Sequence, residues 1–133
     1  MKSSKKDFIA EAGELLEGAE GLLLEIQDTY TTGVNPDTIN ALFRAVHTIK
    51  GISGLFGFSD ISDFSHAFES LLDGIRLGKI ELSDEAVQLL FATLDTLKKA
   101  VEDITNDRDY EVSGCGKEIE TFLAANGRPA HGS

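Results

Sequence analysis

Arg44-Ala45-Val46-His47-Thr48-Ile49-Lys50-Gly51-Ile52-Ser53-Gly54 keeps its apolar residues at helical spacing, and it places two glycines four and seven positions after the histidine. Those offsets put Gly51 and Gly54 on the histidine's own side of a helix. A glycine inside a helix costs about 1 kcal/mol relative to alanine. Two of them beside one imidazole fit a need to clear space for something large to approach it. The charges are equally unusual. The chain carries 23 Asp and Glu residues and a formal net charge of −11, yet no carboxylate lies between Thr38 and Ser59, where Arg44, His47 and Lys50 recur every three residues. A cationic strip on an acidic protein suits a histidine that receives an anion.

Outward from this stretch the helical period continues. Asn35 as N-cap and Pro36 at the first helical position start the helix that contains His47. Ile39, Leu42, Phe43, Val46, Ile49 and Phe56 turn to a core, and the helix ends near Gly57. Upstream, a helix from Ser4 to Tyr30 forms one stripe with Phe8, Ala12, Leu15, Leu16, Ala19, Leu22, Leu23 and Ile26. Downstream, a third helix opens at Ser59 or Asp60 and buries Ile61, Phe64, Phe68, Leu71, Leu72 and Ile75, with Gly78 as its C-cap. Ser83, followed by Asp84 and Glu85, caps a fourth whose stripe alternates spacings of three and four, as a bundle seam does. A shorter fifth helix is expected from Lys117 to Asn126, stopping at Gly127. No β alternation competes. The expected fold is all-α: an antiparallel up-down four-helix bundle with a shorter fifth helix at the C-terminal end. Residues 1–126 form the domain; residues 127–133 read as a linker or tail, marking a fragment of a longer protein, and His131 within them is assigned nothing.

The totals bound the function. A chain of 133 residues, 41% hydrophobic and 26% charged, is one soluble globular domain that buries roughly two-thirds of its unfolded surface. Its acidity argues against nucleic acid, whose phosphates demand a basic face. No apolar run approaches the ~20 residues that span a bilayer. The basic start, Met1 to Lys6, leads into an amphipathic helix bearing Asp7, Glu11 and Glu14 rather than into a signal peptide, so the cytoplasm is the expected address. Cys115 is the only cysteine and lacks a CxxC partner; an ordinary surface or packing thiol is expected.

On a helical wheel His47 lies about 80° from Ile39, so it flanks the core without entering it. Glu69 sits equally far off the stripe of the third helix, with His66 three residues earlier on the same edge. If these two helices form an antiparallel hairpin, Glu69 faces His47. A carboxylate that accepts from Nδ1–H fixes the imidazole tautomer and leaves Nε2 as a free lone pair, which is how an exposed histidine becomes a nucleophile. Lys50, one turn from His47, would neutralise phosphate oxygens as a point charge. Other readings stand beside this one. His47 can be a satisfied boundary residue, the glycines can serve close helix packing, and Glu69 and His66 can be solvated. A metal held by His47, His66 and Glu69 lacks both the HExxH spacing and a fourth ligand, and none is expected.

His47 to Phe58 (HTIKGISGLFGF) resembles the phosphoacceptor signature of histidine phosphotransfer (HPt) domains, in particular the amino-terminal domain of CheA-type chemotaxis kinases. His66 to Asp73 (HAFESLLD), followed by Arg76-Leu77-Gly78, is similar to that family's second motif, in the right order and at the right spacing. The resemblance spans roughly Asp7 to Val101, departs at Ile52, where many relatives carry a small residue, and fades beyond Asp107. It implies that His47 is phosphorylated on Nε2 by an ATP-binding kinase domain in the same or a partner subunit. The phosphoryl group then passes to an aspartate of a CheY-like or CheB-like response regulator. Glu69 would hold Nδ1, Lys50 and His66 would complete the polar network, and Gly51 and Gly54 would keep the approach open. With no Gly-rich nucleotide loop or P-loop, no kinase activity is expected from this chain alone; ATP and magnesium belong to the partner kinase domain, and the chain carries no cofactor or metal of its own. A monomer is expected in isolation. A stand-alone phosphorelay protein and an inert helical interaction module are the alternatives.

Overall fold

The apolar stripes become the inner faces of five helices in the computed structural model, which describes residues 5–126. They are α1 (Lys5–Thr29), α2 (Pro36–Leu55), α3 (Ser59–Arg76), α4 (Asp84–Thr105) and α5 (Ser113–Asn126). Asn35 Oδ1 accepts the Asp37 amide at 2.9 Å to start α2, and Ser83 Oγ accepts the Ala86 amide at 3.1 Å to start α4. Three helices end in the same way. Past α2, α3 and α4 the chain turns left-handed at Gly57 (φ 89°), Gly78 (φ 78°) and Asp107 (φ 57°). Each end is closed by paired amide-to-carbonyl bonds, such as Phe58 N–H to Ser53 O (2.8 Å) with Gly57 N–H to Gly54 O (3.2 Å). This is the Schellman arrangement, which satisfies carbonyls the helix would otherwise leave open.

Contacts between helix ends fix the direction of each helix. Thr38 at the start of α2 donates to Glu25 near the end of α1 (2.7 Å). Tyr30 past α1 meets Asp84 at the start of α4, and Lys5 at the start of α1 meets Asp107 past α4. His47 on α2 meets Glu69 on α3, and Gly54, seven residues further on, borders Ser62, seven residues further back, so α2 and α3 also run antiparallel. The result is the expected up-down bundle. Phe8, Leu23, Leu42, Ile49, Phe68 and Leu94 are among its fully buried side chains. Phe8 packs on Phe56 and Phe58, with ring centroids 5.8 and 4.5 Å away, beside the turn that leads from α2 to α3.

The fifth helix departs from expectation. It opens at Ser113, four residues before Lys117. Glu111 accepts the Ser113 amide at 3.2 Å and the Ser113 hydroxyl, while buried Val112 accepts the Gly116 amide at 3.0 Å. A β-carbon on Gly116 would meet only the Phe64 ring, at 3.7 Å. Gly114 and Gly116 therefore sit in a capped first turn, ahead of the expected start at Lys117. The helix packs on α3 and α4 through buried Ile119 and Phe122. Cys115 in its first turn is half-buried against α4, with Sγ 3.8 Å from Thr93 Oγ1. Among the described residues no helix is long and apolar enough to cross a membrane. The tail at 127–133, His131, and the expected ends at Ser4 and Gly127 lie outside the described residues.

Candidate functional site

The site is built where α2 and α3 face one another, and small residues line their seam. Ser62 Oγ donates to the Lys50 carbonyl at 3.0 Å, and a β-carbon on Gly54 would stand 3.4 Å from that oxygen. Ser53 and Ser65 are fully buried, with Ser53 Oγ bonded to the Ile49 carbonyl at 2.7 Å. A seam this narrow brings a carboxylate on α3 within direct reach of side chains on α2.

Glu69 takes that position and is only 8% exposed. Its Oε2 lies 2.5 Å from His47 Nδ1, and its Oε1 accepts from Lys50 Nζ at 2.8 Å. Burial pushes the Glu69 carboxyl up, but hydrogen bonds from Lys50 and His47, with the Lys50 charge, outweigh it and hold the group below the ordinary carboxylate range. An ionised carboxylate only accepts, so Nδ1 carries the proton and Nε2 presents its lone pair. The His47 side chain is 61% exposed and that of Lys50 28% exposed. The arrangement is a solvent-facing nucleophilic nitrogen, oriented from behind by a buried anion, with an ammonium alongside.

The expected residues are not all drawn in. His47, Lys50 and Glu69 come together. Gly51 is exposed with nothing within 4 Å of where a β-carbon would stand, so the space one turn past His47 is open; Gly54 borders Ser62 instead. His66 is exposed and has no hydrogen bond or ion pair to the other three among the described residues. Burial of Glu69 goes beyond a position at the stripe's edge, because Gly54, Ser53, Ser62 and Ser65 let the helices close over it.

Two further residues join the site. The Phe43 ring lies nearly parallel to the His47 imidazole, with centroids 6.5 Å apart and planes 14° from one another. The Arg76 guanidinium carbon stands 4.5 Å from the Phe43 centroid, and the same guanidinium bonds Asp73 through Nη2 (2.5 Å) and Nε (3.2 Å). Phe43 reads as core from its stripe position alone; its place four residues before His47 is the signal that links them.

Comparison with known proteins places the chain in a family. The family model described as Hpt domain matches residues 4–107. The chemotaxis protein CheA of Treponema pallidum is 36% identical over 124 residues, 92% of this chain and 15% of that protein. CheA of Klebsiella aerogenes is 40% identical over 95 residues, 71% of this chain and 14% of that protein. The chain thus spans about one-seventh of these curated relatives. Among solved structures, the phosphorylated P1 domain of CheA3 in complex with CheY6 from R. sphaeroides superposes with a TM-score of 0.78 at 25% identity, covering 92% of this chain and 96% of that one. The CheA phosphotransferase domain from Thermotoga maritima superposes at 0.69 with 30% identity, covering 78% and 99%. A family match over most of the chain, a fold shared with CheA phosphotransfer domains, and an exposed histidine held by a buried glutamate lead to one conclusion: the chain belongs to the Hpt domain family.

Proposed function

We propose that this chain is a phosphoryl carrier of chemotaxis-type two-component signalling, with His47 as phosphoacceptor. The observation that carries it is the His47 Nδ1 to Glu69 contact at 2.5 Å behind an imidazole whose side chain is 61% exposed. ATP and magnesium are brought by the catalytic domain of a CheA-type kinase. Nε2 donates its lone pair to the γ-phosphorus; an N–P bond forms as the P–O bond to ADP breaks. The ring becomes cationic, its Nδ1–H stays on Glu69, and the adjacent carboxylate offsets the new charge. In the second step an aspartate carboxylate of a CheY-like or CheB-like receiver attacks the same phosphorus, and the N–P electron pair returns to Nε2. Lys50, one turn away, neutralises phosphoryl oxygens, and Gly51 leaves room for both partners. No part in this trio is proposed for His66.

The relatives named CheA, and the solved P1 domain that holds CheY6, support the kinase and receiver as partners. Residues 1–126 would be the phosphotransfer domain, followed by a linker, acting in the cytoplasm as a monomer. Incubation with ATP, magnesium and the catalytic portion of a CheA-type kinase tests the proposal, with His47→Gln run alongside. The expected product is an acid-labile, alkali-stable phosphate, absent from the variant, whose thermal midpoint stays within about 2 °C of wild type because an exposed residue contributes little to stability. Label retained in the variant, or none with several active kinases, would leave an inert helical interaction module.

A further inference from the structure

We propose that Phe43, capped by Arg76, is a positioning residue: its ring fixes the plane of the His47 imidazole and thereby the direction of Nε2. That role rests on His47 being the phosphoacceptor. One hydrogen bond at Nδ1 holds a five-membered ring by a single corner. The torsion that swings the ring is a broad, roughly two-fold well rather than a set of sharp ones. With the His47 side chain 61% exposed, few neighbours crowd it. Fixing the lone pair in space needs a second contact, and Phe43 supplies it one helical turn earlier on the same face.

The geometry suits that task. Ring planes 14° apart with centroids 6.5 Å apart are parallel but displaced, within the range aromatic pairs prefer. Phe43 is itself anchored twice. Its ring packs against the bundle core, and Arg76 lies over it at cation–π distance. Asp73 holds the guanidinium from the side and neutralises it, so Arg76 serves the stack rather than acting as a free phosphate ligand. Arg76 follows Glu69 by seven residues, two turns along one face of α3, as Phe43 precedes His47 by one turn on α2. Antiparallel pairing brings both contacts into register. α3 therefore grips the imidazole at two points, directly through Glu69 and indirectly through Arg76 and Phe43.

The test compares Phe43→Leu, Phe43→Tyr and Arg76→Gln with wild type. The readouts are initial phosphorylation rate, thermal midpoint, and 13C relaxation of the His47 ring by NMR. A misplacement of ~1 Å at a reacting centre costs on the order of 100-fold, so a ring that swings about its hydrogen bond should lose roughly 10-fold. Phe43→Leu stays apolar but removes the ring and is expected to show that loss, with a modestly lowered midpoint, an unchanged Nδ1–H tautomer and a less ordered imidazole. Phe43→Tyr retains the stack and the rate; Arg76→Gln, at a half-exposed position, loosens the ring and slows the rate about threefold. Should Phe43→Leu fail to fold, Arg76→Gln carries the same ring-order comparison. A variant that reacts at the wild-type rate with an equally ordered ring overturns the proposal. So does a slow variant whose ring is as ordered as wild type, since the loss would then lie in packing or docking. Wild-type chain that takes no phosphate on His47 would instead sink the phosphotransfer reading, and ring order would still decide the stack.

Discussion

At the scale of the residue, the centre of the account is one buried carboxylate serving two groups on a helix face that has no carboxylate of its own. Glu69 accepts from both His47 and Lys50, and removing either partner leaves a buried anion under-satisfied. A Gln at 69 offers one oxygen where two are used. Glu69→Gln is expected to slow phosphorylation roughly 10- to 100-fold, the usual cost of losing an orienting partner behind a histidine; an unchanged initial rate would remove the role. The pH dependence follows from the same group. Its folded value lies below the ordinary 4.5, so the stability it adds is present above that value and is lost as pH falls through the lower, folded one. Urea melts of wild type should weaken across that acid window more than those of Glu69→Gln. His47, Lys50 and Gly51 were legible in the sequence because a carboxylate-free strip with glycines at helical offsets can be read without neighbours. The depth at which Glu69 is buried was not, since it depends on how closely Gly54 and Ser62 let two helices meet. Nor was the Phe43–Arg76 stack, which needs the register between them.

At the scale of the element, helix ends do much of the positioning. The turn after α2 reverses the chain within three residues, so that α3 returns along the site. It depends on Gly57 at φ 89°, a conformation that costs an L-residue about 1–2 kcal/mol. Gly57→Ala should lower the free energy of unfolding in urea by about that amount. No measurable change would mean the turn can close another way. The caps at Asn35 and Ser83 and the stop at Gly78 were readable because their chemistry is local. The start of α5 was not. Its cap is the Glu111 carboxylate reaching forward, and its first turn is placed by the packing of α5 on α3 and α4.

At the scale of the whole molecule, the bundle separates duties. Its core is made from stripes whose period alone announced an all-α fold, while the packing of α5 across α3 and α4 needed the third dimension. The outside is strongly acidic except along α2 from Thr38 onward, where the proposed chemistry takes place. The central claim is that Glu69 holds Nδ1 and leaves Nε2 to react. Its most direct test is the 31P and 15N NMR spectrum of the phosphorylated chain, which distinguishes the two ring nitrogens of His47. Phosphate on Nε2, with Nδ1 still protonated, is the predicted result. Phosphate on Nδ1, or on any other residue, would contradict it.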